Sequence, residues 1–130
     1  MEAEGDGPGE GSFALPREAR ITASGEIRDL FRRGKRRKTR HLDALVSPSP
    51  SAFPRLGVVV PKHKRTIVER NRLKRRLREI GRTLILPRLR NSGVALDVLV
   101  RARPEAYAAP FAELRADLEA LTEELCSRAP

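Results

Sequence analysis

The sequence predicts a small α+β fold, a mixed β-sheet packed against about three helices. Thr66 to Leu84 reads as one amphipathic helix with a defined start. A short β-branched run at 55–61 and apolar alternation at 95–103 read as a strand on each side of it. A strand–helix–strand run of this length suits a crossover between parallel neighbours. A closing stretch, 110–126, then repeats leucine at helical spacing.

Taken in order, residues 1–16 are acidic and Gly-rich without apolar periodicity, and are expected to be a disordered tail. Arg17 to Thr22 reads as a short extended piece. Ser24 is placed to cap a helix over GEIRDLFRR, with Ile27, Leu30 and Phe31 on its apolar face and Gly34 at its end. Phe31 reads first as core packing. Its alternative role is an aromatic ring beside a groove, stacking on a nucleobase. Residues 32–40, RRGKRRKTR, hold seven bases in nine and read as a loop that extends a phosphate-binding surface. HLDALV, 41–46, alternates as a strand, and the proline-rich 47–54 reads as a hairpin loop.

The central helix has the strongest local signature. Thr66 and Glu69 form a capping box. Leu73, Leu77, Ile80 and Leu84 fall in one narrow stripe, and Pro87 is expected to stop the helix. From Arg70 to Arg78, six of nine residues are Lys or Arg, five of them Arg. A solvated helix mixes its signs to gain i,i+4 pairs. Here the cations repel one another unless a polyanion neutralises them, and Arg forks bidentately onto phosphate. A coiled coil would need several more heptads. LPRLRNSG, 86–93, then reads as a connector. The last helix begins near Pro110 and buries Phe111, Leu114, Leu118, Leu121 and Leu125, leaving an acidic outer face.

Charge is distributed unevenly. The chain carries +10, but residues 17–103 hold 25 Lys and Arg against seven Asp and Glu, a net of +18. That density points to nucleic acid rather than a membrane. No apolar run approaches the roughly 20 residues of a span. The N-terminus resembles neither a signal nor a transit peptide. The single Cys126 excludes an intramolecular disulfide and fits a reducing, cytoplasmic setting. One domain over 17–126 is expected, with a short tail at 127–130.

No catalytic constellation is legible. His41 and His63 stand in no metal-ligand spacing, no Ser has a nucleophile-elbow context, and no Gly-rich loop opens a helix. Glu69 and Glu79 are accounted for by capping and by pairing with neighbouring Arg.

RNRLKRRLRE, Arg70 to Glu79, resembles the signature motif of the bacterial ribonuclease P protein component. The likeness continues through REARITASGEIRDLFRRG, RLGVVVPKHKRTIVERNRLKRRLRE, LDVLVRARP and FAELRADLEALTEEL, about residues 17–125. The resemblance implies a mixed sheet with a left-handed crossover through the motif helix. It also implies a protein that binds a catalytic RNA, one to one, and helps it remove the 5′ leader of precursor tRNA. The metal, Mg2+, is then held mainly by the RNA. By matching position, Arg70, Asn71, Arg72, Lys74, Arg75 and Arg78 contact the catalytic RNA. Arg82, Lys62, His63, Lys64 and Arg65 are expected to extend that surface. Phe31, Ile27, Val59 and Val60 match positions of a leader cleft. The chain has Ile27 where the family often has Phe, and Leu45 where it often has Tyr. It has Pro61-Lys62-His63 for Ser-Lys-Lys, and Arg65 for Gly; all these departures touch the cleft side. Two competing readings are an RNA binder outside any enzyme and an independent hydrolase. The motif helix in its strand–helix–strand setting disfavours the first, and the missing constellation the second.

Overall fold

The computed structural model describes residues 17–127, so the tail expected over 1–16 and residues 128–130 lie outside it. Helix α1 spans Ser24–Arg33, and strands β1, β2 and β3 span Lys35–Lys38, Leu42–Pro48 and Arg55–Val59. Helix α2, Ile67–Ile80, runs through a π-helical turn, Gly81–Ile85, into α3, Leu86–Asn91. Strand β4, Leu96–Ala102, and helix α4, Phe111–Ser127, complete the order.

The strands make one mixed sheet in the order β1-β2-β4-β3. β3 lies parallel to β4, as the crossover predicts, with Arg55 opposite Asp97 and Val59 opposite Arg101. β4 is antiparallel to β2, and β2 to β1. The 47–54 segment is therefore not a hairpin loop, because β4 lies between the strands it joins. The central pairing has Val98, Val100 and Ala102 to bury, which an edge position would expose.

Both faces of the sheet are covered. Leu42, Ala44, Val46, Val98 and Val100 pack with Leu73, Leu77 and Ile80 of α2, Leu89 of α3, and Leu114 and Leu118 of α4. On the other face Leu45 and Leu99 pack with Ile21 and with Leu30 of α1. Gly81 seats the helical arm on β3: a Cβ there would stand 2.0 Å from Leu56 Cδ2.

Several local expectations give way to tertiary context. Residues 35–38 are an edge strand rather than loop, its exposed cations guarding an open sheet edge. Arg17–Ala19 is a 3-10 turn, and only Arg20 bridges to Leu56 in extended form. Ser24 is the first residue of α1 and not its cap; Ala23 stands at the cap position without a side-chain hydrogen bond. The Ile21 N–H is tied to the Leu56 carbonyl at 2.8 Å, so the helix starts from a fixed point outside it. Pro87 does not stop the helix. In the π-turn the Leu86 N–H reaches the Gly81 carbonyl, which opens the ladder just before the proline ring and accommodates it. Residues 86–91, read as connector, are thus helical. Phe111 is 39% exposed, in the first turn of α4 beyond the core that Leu114 to Leu125 fill.

Candidate nucleic-acid interface

Helix α2 begins as its capping box dictates. Thr66 Oγ1 accepts from the Glu69 N–H at 3.1 Å, and Glu69 Oε1 accepts from the Thr66 N–H at 2.9 Å. The Thr66 N–H, and after it the Arg65 guanidinium, holds the Glu69 carboxyl below the usual carboxylate range. Leu73, Leu77 and Ile80 are buried, which turns Asn71, Arg72, Arg75 and Arg78 to solvent. Arg70, Lys74, Arg76 and Arg82 are half-buried on the flanks.

The two acids bordering this run are already engaged. Glu69 pairs with Arg65, and Glu79 with Arg82. Among the described residues no carboxylate lies within ion-pair distance of any cation from Arg70 to Arg78. Lys74 and Arg78 line a groove with Arg20, floored by Ile21, Ile27, Leu56, Gly57 and Val58. Burial against that floor, and then the charge of Arg20, lowers the affinity of Arg78 for its proton. Three cations thus line one groove, an arrangement that an anion favours.

Lys62, Lys64 and Arg65 are exposed and His63 is half-buried in the turn between β3 and α2. The structure therefore joins the turn and the motif helix into one cationic surface. It divides the leader-cleft set. Ile27 and Val59 pack on the same small cluster, beneath α1. Phe31, one turn beyond Ile27, is 36% exposed rather than core. Val60 packs against the main core on the opposite face. The basic run 32–40 is set apart: β2 and β4 separate β1 from β3, about 14 Å across the sheet. Arg32 and Arg33 pair with Asp29, and Arg37 with Glu124.

Two features were not legible as site residues. The Arg101 guanidinium stands 5.9 Å over the Phe31 ring, on the strand position opposite Val59. Strand alternation marks Arg101's face, but nothing local pairs it with a helix seventy residues earlier. His41 is buried, with Nδ1 2.9 Å from Asp117 and Nε2 3.5 Å from Glu113, so it ties β2 to α4. Among the described residues no group of three or more His, Cys, Asp or Glu could hold a metal ion. No helix among them is long and apolar enough to cross a membrane.

A family model described as Ribonuclease P matches residues 15–126. The ribonuclease P protein component of Acidothermus cellulolyticus is 35% identical over 115 residues, covering 85% of this chain and 91% of that protein. That of Micrococcus luteus is 42% identical over 111 residues, covering 78% and 83%. The solved ribonuclease P protein of Thermotoga maritima superposes with a TM-score of 0.66 at 26% identity, over 81% of this chain and 96% of that one.

Proposed function

The chain belongs to the ribonuclease P protein family, and from that premise we propose that it binds the catalytic RNA through α2 and the Lys62–Arg65 turn. The same reading places the 5′ leader of precursor tRNA against the α1 side of the sheet, at Phe31, Ile27 and Val59. The chain then supports endonucleolytic removal of the leader, as one protein with one RNA in the cytoplasm. Val60, on the other face, supports the cleft from behind.

One observation carries this reading. The cations from Arg70 to Arg78 stand on a helix whose opposite face is core, with no carboxylate of the described chain in reach. Arg forks on a rigid helix suit phosphate oxygens. The chain's contribution is then positioning and charge neutralisation. We assign the magnesium ion to the RNA, as the family resemblance implies.

The test is single-turnover cleavage of precursor tRNA by the RNA alone and with increasing chain, across magnesium concentrations. The chain should lower the magnesium requirement and tighten binding of substrates that keep their leader. Arg75→Ala and Arg78→Ala should need more protein but recover cleavage at saturation. His63→Ala should stay within about a factor of ten of the saturated rate. Loss of cleavage at saturation with RNA binding intact would move chemistry onto the protein and sink this reading.

A further inference from the structure

We propose that Tyr107, which lies outside the basic segment, is the positioning residue of the Lys62–Arg65 turn, holding that turn in the left-handed form that presents its cations to RNA. This rests on the reading above that the turn meets RNA.

His63 and Lys64 are consecutive non-glycine residues with φ of 44° and 62°. Side chains rarely adopt that conformation, and two in succession persist only where their surroundings enforce it. The turn's own closure is a single bond, from the Arg65 N–H to the Lys62 carbonyl at 2.7 Å. Glu69 of α2 adds an ion pair to Arg65 as the turn ends, and further restraint comes from the segment after β4. The Tyr107 hydroxyl donates to the Pro61 carbonyl at 3.0 Å, fixing the chain as it enters the turn. The Arg65 guanidinium lies 4.8 Å over the Tyr107 ring, fixing the chain as it leaves. His63 meets the same ring edge-on at 6.3 Å, and its Nε2 is 3.4 Å from the Ala102 carbonyl. Burial, the largest influence, pushes the Tyr107 phenol up, so it stays a donor at neutral pH.

The capping box occupies the Thr66 and Glu69 N–H groups, two of the four first-turn backbone donors of α2. The side-chain cations at this end of the helix are those of the turn. Without the clamp the turn relaxes toward right-handed geometry, and Lys62 and Lys64 must be ordered again at each binding event.

A double-mutant cycle with the full chain and its catalytic RNA tests this, with thermal melts run alongside. Lys64→Ala alone should weaken binding about three- to tenfold. Tyr107→Leu should weaken it about tenfold and flatten the slope of log K against log salt by about one to two. In the Tyr107→Leu background, Lys64→Ala should cost less than about twofold more, because the cation is no longer placed. Tyr107→Phe keeps the ring and loses only the Pro61 bond, and should fall between. It serves in the same cycle if Tyr107→Leu fails to fold. A purely structural tyrosine would lower the melting temperature and leave the two effects multiplicative, which overturns the inference while leaving the RNA-facing turn in place. If Lys64→Ala and Lys62→Ala have no effect even in the wild type, the turn does not meet RNA and both readings fall.

Discussion

Helices α2 and α4 are alike on the inside and opposite on the outside. Both bury leucines in the same core, Leu73 and Leu77 from one, Leu114 and Leu118 from the other. Outward, α4 is acidic, and its acids are used within the chain: Glu119 and Glu123 by Arg88, Glu124 by Arg37, Asp117 and Glu113 by His41. Among the described residues, the cations of α2 from Arg70 to Arg78 have no such partner. Charges paired across elements report on the fold. On the function proposed above, a run of one sign without such pairs faces something outside the chain.

The largest effect should come from salt. If about six to eight phosphates are contacted, log K for RNA should fall against log salt with a slope on the order of −5 to −7. The melting temperature should move little over the same range, because the α4 pairs are mostly solvent-exposed and weak. A slope near zero would erase the distinction between the two helices.

Next come the inner faces, where the helices should behave alike. Leu77→Ala and Leu118→Ala should each destabilise by about 2–5 kcal/mol in urea or thermal unfolding, since both side chains are buried and leave cavities. If only one of them matters, the shared core is wrong.

The outer faces should then separate. Arg75→Ala and Arg78→Ala should each cost about 1–3 kcal/mol in RNA affinity and little in stability. Arg88→Ala should do the reverse, with stability changing by about 1 kcal/mol at most and RNA affinity unchanged. Binding curves and melts on the same samples decide it, and an Arg88→Ala that weakens RNA binding more than Arg75→Ala breaks the comparison.

The smallest effects lie at the start of α2. Thr66→Ala should cost about 1 kcal/mol. Glu69 titrates below its ordinary value of 4.5 in the folded chain. A depressed carboxyl stabilises above its unfolded value and stops doing so as pH falls through the folded one. The stability gap between wild type and Glu69→Gln should therefore be full above pH 4.5 and close below it. A gap that is constant from neutral to acid pH would mean the box is not formed in solution.

What the chain determined by itself was whatever depends on near neighbours. The capping box of Thr66 and Glu69, the buried stripe from Leu73 to Leu84, the unmixed cations beside it and the parallel β3–β4 crossover all follow from spacing and helix geometry. The motif helix was legible as a candidate site for the same reason, because a helix fixes which residues share a face. The tertiary structure alone decided what depends on where elements come to rest. It placed β4 between β2 and β3, so a proline-rich loop that looked like a hairpin spans a strand. It let the helix run past Pro87 by widening one turn over Leu56. It put Arg101 over Phe31, His41 between two acids of α4, and Tyr107 beneath a left-handed turn more than forty residues away. Those pairs are set by the packing of whole elements, whose free energy is spread over the core and leaves no mark on the local pattern of either partner.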